Sequence, residues 1–178
     1  RRAAAVKAQR DQEFAERELE IARSIQRRLL PPAEVEGEGY LVAARYLPAN
    51  FVAGDFYGVF RLDDDRLGLV VADVAGKGIG ASLITASVKA MTPLIAADHD
   101  LIETVHRLND KLCGELGRRE FGAFSIAILQ LQAGDRFLLL TDGLPEALTP
   151  QGEPLGYEAL MKIVDRPQSL DDDPSAWL

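Results

Sequence analysis

The hydrophobic positions of this chain follow two periods, one typical of helices and one typical of strands. Residues 1–30 lack Gly and Pro, and Phe14, Ile21, Ile25 and Leu29 fall on one face of a predicted helix that Pro31 ends. Residues 79–97, 101–116 and 157–164 predict further helices, with a short one after Pro145. The apolar positions expected to face inward in the second helix are Leu83, Ile84, Val88, Met91 and Leu94.

Short apolar runs between these helices predict strands. They cover residues 40–46, 56–62, 67–71, 123–131 and 137–140. Residues 33–39 have the composition of an acidic linker, and residues 132–135 that of a turn. Because only a short turn, built on Asp63, Asp64 and Asp65, lies between the second and third strands, these two strands should form a hairpin.

Composition narrows the classes of protein that fit this pattern. The chain has 178 residues, is 47% hydrophobic and carries a formal net charge of -8, which suits one ordinary core and makes nucleic acid an unsuitable partner. A single cysteine, Cys113, excludes an internal disulfide and is expected in the core. We found no apolar run near the length of a membrane span and no apolar signal core, so we expect a cytoplasmic protein.

Acidic residues recur where predicted strands begin or end. Asp55, Asp73 and Asp142 each lie beside or near a glycine, and Asp171–Asp173 form a further cluster. The predicted hairpin places Asp55 and Asp73 at the same end of neighbouring strands. Converging carboxylates repel one another unless a cation holds them, and oxygen ligands without His or Cys favour magnesium or manganese. Two such ions suit the hydrolysis of phosphate esters.

A simpler interpretation applies to each acid taken alone. Asp73 would then be a solvated acid at a strand end, followed by a glycine turn. For Asp63–Asp65 we prefer that interpretation, because they lack the spacing of a calcium loop. His99 and His106 have no partner at ligand spacing and are expected at the surface.

Four ordered motifs give the chain a family resemblance. They are GDFY at 54–57, DVAGKG at 73–78, LTDGLPEA at 140–147 and IARSIQRRLLP at 21–31. Together they resemble the SpoIIE/RsbU-type branch of the PPM (PP2C-like) metal-dependent serine/threonine protein phosphatases. The resemblance implies an α/β (α+β) fold, an αββα sandwich of two antiparallel sheets flanked by helices, preceded by an N-terminal signalling helix.

The resemblance also implies roles for individual residues. Asp73 would bridge two Mn²⁺ or Mg²⁺ ions, the Val74 carbonyl and Asp55 would serve the second ion, and Asp142 and Asp172 would complete the first. Asp73, Asp55 and Asp142 are therefore the predicted catalytic residues. The implied substrate is a phosphorylated regulatory protein, such as an anti-sigma-factor antagonist, and the implied partner is an upstream sensor domain.

The chain departs from the family pattern in two respects. Gly58 stands where the motif usually has an acid, which predicts weaker metal binding. The family also has further segments between Leu131 and Gln132, and between Val164 and Asp171. We expect that these were left out of the sequence rather than lost, because the flanking motifs are intact; the turn at residues 132–135 would then be an artefact of that omission. The predicted domains are residues 1–37, a helical linker, and residues 38–178, a phosphatase domain.

Three functions compete on these observations. An active phosphatase is favoured, and a partner-binding module that keeps the fold without turnover is the alternative, supported by Gly58. A nucleotide-binding loop fails, because Ile79 follows Gly78 where a P-loop needs Lys and then Ser or Thr. The N-terminal helix either packs on its own domain or pairs with a second copy to form a homodimer.

Overall fold

The computed structural model describes residues 2–48, 53–75, 79–115 and 122–164. Four helices and five strands occur in these ranges: α1 (Arg2–Leu29), β1 (Glu34–Gly37), β2 (Tyr40–Ala43), β3 (Asp55–Arg61), β4 (Arg66–Val74), α2 (Ile79–Asp98), α3 (Leu101–Glu115), β5 (Gly122–Gln130) and α4 (Gly156–Val164). The strands form two antiparallel sheets, one of two strands and one of three. The predicted α+β class with two antiparallel sheets and helices is confirmed.

The three-stranded sheet is the framework of the molecule, in the order β3-β4-β5. Helix α2 contacts β3 and β4, and α3 contacts β5, so both helices cover the same face. Their contact with the sheet forms a core of Phe56, Val70, Ala72, Val88 and Leu112. Alternation along a strand puts residues 55, 57 and 59 of β3 on the opposite face.

Helix α3 begins as its sequence predicts. The Asp100 carboxylate accepts a hydrogen bond from the Glu103 amide at 2.9 Å, which satisfies one of the free donors of the first turn. Leu108 and Leu112 are buried, in agreement with the predicted stripe, while Val105 remains partly exposed. The apolar spacing thus located the helix correctly and its buried side only in part.

Helix α2 corrects two sequence expectations. Leu83 and Leu94 were predicted to face inward but are exposed, because the sheet covers only the side that carries Val88 and Ala96. The segment Gly80–Asp98 is also long and apolar enough to cross a membrane, with a mean hydropathy of 1.3, contrary to our expectation that no run approaches that length. It contacts β3 and β4, and 28% of the segment is buried.

Two short segments also differ from the secondary structure that the sequence predicted. Part of the supposed acidic linker is β1, which pairs with β2 across a turn in which Gly39 has φ of 80°, a conformation that glycine adopts without strain. Residues 137–140 were predicted as a strand but pair with no other strand among the described residues, and residues 145–148 form a turn rather than a helix. An apolar run becomes a strand only where a neighbouring backbone edge is free to bond it.

Cys113 is exposed and so does not belong to the core, contrary to prediction. It lies next to the buried Leu112 on α3, one helical step round from the face that meets the sheet. A stripe of apolar residues does not reveal how far the buried sector extends to either side.

Candidate metal centre

The hairpin of β3 and β4 brings two of the predicted acids together. Its register makes Asp55 the direct cross-strand partner of Asp73. Directly opposed residues have Cβ atoms about 5 Å apart and share one face of the sheet. The sequence prediction that these acids lie at the same end of neighbouring strands is therefore confirmed.

The backbone at this end of the hairpin is packed very closely. The Val74 amide donates to the Gly54 carbonyl at 3.2 Å. A Cβ on residue 54 would lie 2.0 Å from the Val74 carbonyl oxygen, so a larger side chain could not be accommodated without separating the strands. Gly54 is thus what allows the Val74 carbonyl, a predicted metal ligand, to lie beside the start of β3.

The surroundings of Asp55 disfavour the ionised form of its carboxyl group. Burial, together with the charges of Asp73 and then Asp142, raises its pKa to about 6. Both sheet acids are only partly buried, and Asp142 is exposed in the turn that follows residue 141. The structure therefore brings Asp142 close enough to act on Asp55 electrostatically.

Tyr46 lies against the same group. Burial, with a smaller contribution from the Asp55 charge, raises the pKa of its hydroxyl to about 12. Its hydroxyl donates a hydrogen bond to the Gln26 side-chain oxygen at 3.3 Å. Neither residue was among the predicted site residues, although Gln26 lies in one of the four motifs.

The donor set fits a hard divalent cation in chemical type. Asp55, Asp73 and Asp142 supply carboxylate oxygens and Val74 supplies a main-chain oxygen, the ligands that Mg²⁺ and Mn²⁺ prefer. A cation would also relieve the repulsion that raises the pKa of Asp55. Within the described ranges, however, no three acidic, His or Cys side chains lie close enough to hold an ion together. Asp172 lies outside the described residues.

Gly58 occupies a position different from the one its motif suggested. It is buried on the core face of β3, and a Cβ there would lie 2.8 Å from Cγ1 of Val70. Asp55 is three residues away and on the other face. A carboxylate at position 58 would point into the core, so the expectation that Gly58 removes a metal ligand is not supported by its place in the sheet.

Comparison with known proteins assigns the chain to a family. The model of the family described as Stage II sporulation protein E (SpoIIE) matches residues 63–130 and 120–177. The chain belongs to the SpoIIE family. The matched ranges include Asp73, Val74, Asp142 and Asp172, and they begin after Asp55.

Three curated relatives match shorter stretches. Protein IcfG of Synechocystis sp. is 42% identical over 66 residues, 37% of this chain and 10% of that protein. Phosphoserine phosphatase RsbP of Bacillus subtilis is 38% identical over 71 residues, 40% of this chain and 17% of that protein. Phosphoserine phosphatase RsbU of the same organism is 36% identical over 72 residues, 40% of this chain and 21% of that protein. The matches thus span only a tenth to a fifth of these relatives.

Proposed function

We propose that this SpoIIE-family chain is a metal-dependent phosphatase that removes phosphate from phosphoserine or phosphothreonine of a regulatory protein. The observation that carries the proposal is the cross-strand pair of Asp55 and Asp73, two opposed carboxylates on neighbouring strands; burial and the Asp73 charge raise the pKa of Asp55. Family membership and two relatives named phosphoserine phosphatases support the choice of reaction.

The residues would divide the work as follows. Asp73 would hold both ions, Asp55 and the Val74 carbonyl one of them, and Asp142 with Asp172 the other. When bound, two Mn²⁺ or Mg²⁺ ions supply an activated water and neutralise phosphoryl oxygens. The sheet fixes Asp55 relative to Asp73 through the β3–β4 ladder, so this pair needs little rearrangement to accept a ligand.

The direct test is hydrolysis of an aryl phosphate and of a phosphoserine peptide by the purified chain. We expect turnover with millimolar Mn²⁺ or Mg²⁺ and none after addition of excess chelator. Turnover that persists in chelator would contradict the metal assignment. Binding of Mn²⁺ without turnover of either substrate would favour the alternative, a partner-binding module, which the absence of a three-acid group among the described residues also favours.

Two further partners, a second copy of the chain and an upstream sensor, are proposed to act through the N-terminal helix α1. Along α1 the side chains of Phe14, Ile21 and Ile25 are 65%, 61% and 48% exposed, although leaving large apolar groups in water forgoes roughly 1.5–3 kcal/mol each. We therefore propose a homodimer in which this stripe meets its copy, with an upstream sensor acting through the helix in the cytoplasm. Helix α1 also contacts α2, so the helix as a whole meets the domain as predicted.

Sedimentation tests the dimer. Ile21→Asp combined with Ile25→Asp places charges in the proposed seam and should shift the chain towards monomer at matched concentration. Glu20→Lys with Glu16→Lys, which changes charge on the same helix outside the stripe, is the control. A double isoleucine variant that sediments as wild type would contradict the pairing.

A further inference from the structure

The last turns of α1 are fastened to the strand that carries Asp55. The Gln26 side chain is buried, at 7% exposure, in a helix most of whose described polar residues are exposed. Its Nε2 donates to the Ala53 carbonyl at 2.6 Å, and its Oε1 accepts from the Ala53 amide at 3.3 Å. One carboxamide thus pairs with both backbone groups of a single residue, as a neighbouring strand would.

Two further contacts fix this arrangement. The Tyr46 hydroxyl donates to the same Gln26 oxygen at 3.3 Å, which leaves the carboxamide little freedom to rotate. The Tyr57 hydroxyl donates to the Pro31 carbonyl at 2.9 Å, so the segment just after α1 is bonded to β3 as well. These bonds hold the segment that follows the end of the helix at Pro31 against the domain.

Only one residue separates this contact from the metal centre. Ala53 is followed by Gly54, whose carbonyl bonds Val74 and whose Cα has no room for a side chain beside the Val74 carbonyl. Asp55 comes next and faces Asp73. Because the backbone from Ala53 to Asp55 is bonded at Ala53 by Gln26 and at Gly54 by Val74, the position of Asp55 depends on both bonds.

We infer that Gln26 is a positioning residue for the metal centre: its carboxamide holds Ala53 so that Asp55 lies in register with Asp73 for cation binding. The inference rests on the proposed metal-dependent function. It also gives α1 a specific route to the site, since any displacement of the last turns of the helix moves the partner of Ala53. Groups that orient metal ligands typically alter metal affinity by about 10–100-fold when removed.

The experiment compares three variants of the full chain. Gln26→Ala removes both bonds to Ala53, and Gln26→Glu keeps the size while replacing the donor to the Ala53 carbonyl with an anion. The control is Gln12→Ala, which removes an exposed glutamine of the same helix that bonds only to Glu16, at 3.0 Å. Mn²⁺ binding is measured by titration of the free-ion paramagnetic signal, and exchange of the Ala53 amide is measured in metal-free protein.

We expect both Gln26 variants to bind Mn²⁺ about tenfold more weakly or worse, and Gln26→Ala, which also loses the acceptor, to exchange the Ala53 amide faster, with Gln12→Ala unchanged in both respects. The metal concentration for half-maximal turnover should rise in parallel, while turnover at saturating metal changes much less. A residue with a merely structural role would lower the unfolding temperature and leave the metal titration where it was.

Each outcome decides the matter. Wild-type binding with equally tight binding by Gln26→Glu, or by a folded Gln26→Ala, would overturn this inference and leave the proposed function standing. A wild-type chain that binds no Mn²⁺ would overturn the metal assignment and this inference with it. Unchanged exchange of the Ala53 amide in Gln26→Ala would also overturn it, whatever the metal result.

Discussion

The two ends of the β3–β4 hairpin carry acids under opposite conditions. At the turn end, Asp63 bonds Arg66 at 2.6 Å and Asp64 bonds Arg61 at 3.2 Å. The hydrogen bond from Arg66 lowers the pKa of Asp63. At the other end Asp55 faces Asp73, and burial and neighbouring acids raise its pKa to about 6.

This difference separates acids that form hydrogen bonds within the hairpin turn from acids that we propose bind a cation. At the turn, Asp63 also accepts hydrogen bonds from the amides of Asp65 and Arg66, so its carboxylate already has partners within the protein. At the site end, among the residues that the structure describes, no arginine or lysine contributes to the pKa of Asp55, and Asp73 and Asp142 both raise it. A cation supplied from outside would do there what Arg66 does at the turn.

The largest expected effect is on catalysis at the unpaired end. Asp73→Asn removes charge without volume and should lower metal-dependent turnover by about 10³-fold or more, since ligated ions supply several kcal/mol to the transition state. Asp64→Asn, at the paired and exposed end, is the matched control and should retain wild-type turnover. Full activity of Asp73→Asn would remove the distinction between the two ends.

The middle of the hairpin provides the next test. Gly58→Asp restores the motif acid, yet it would bury a carboxylate against Val70 and should destabilise the fold by about 3 kcal/mol or more without tightening Mn²⁺ binding. Gly58→Ala should cost less, because only a methyl group meets Val70. Denaturant unfolding and Mn²⁺ titration of both variants measure this, and tighter metal binding by the aspartate would refute the placement of residue 58.

A smaller effect concerns stability in the absence of metal. Since the pKa of Asp55 is about 6 in the folded chain and 3.8 in a free side chain, its ionised form is disfavoured by folding. The penalty is fully present above pH 6 and disappears as the pH falls towards 4. Asp55→Asn should therefore stabilise the chelator-treated protein at pH 8, by about 1 kcal/mol after allowance for solvent screening, and not at pH 4.

Asp63→Asn should show the opposite sign in the same melts. The pKa of Asp63 is lowered by its hydrogen bond to Arg66, so its contribution to stability is present above its usual pKa and is lost as the pH falls below it. Equal shifts for Asp55→Asn and Asp63→Asn at pH 8 would contradict the contrast between the two ends.

The smallest effect is expected from Arg66→Ala. Its ion pair with Asp63 is partly exposed on both sides, and such pairs contribute little to folding. The unfolding midpoint should fall slightly, and Mn²⁺ binding should not change. Weakened metal binding in this variant would mean that the two ends of the hairpin are coupled through the strands.

Hydrophobic periodicity located some elements closely and misplaced others, for a physical reason. The α2 and α3 segments, β3, β4 and β5 were located closely, because their apolar periods are long and each period has one dominant interpretation. Residues 137–140 are as apolar as a buried strand, yet Phe137 and Leu138 are more than half exposed and unpaired within the described ranges. Family segments were predicted to be missing from the sequence between Leu131 and Gln132, and this stays a prediction.

The amino-acid sequence by itself was enough to identify the acids and the glycines beside them. It also predicted the hairpin that brings Asp55 and Asp73 to one end, since strand alternation and a short turn leave few registers open. Only the tertiary structure decided that Gly58 faces the core, that Leu83 and Leu94 face outward, and that Gln26 holds Ala53. Each of these depends on which side of an element meets a neighbour distant in the chain. Local periodicity gives the faces, but only packing assigns a partner to each.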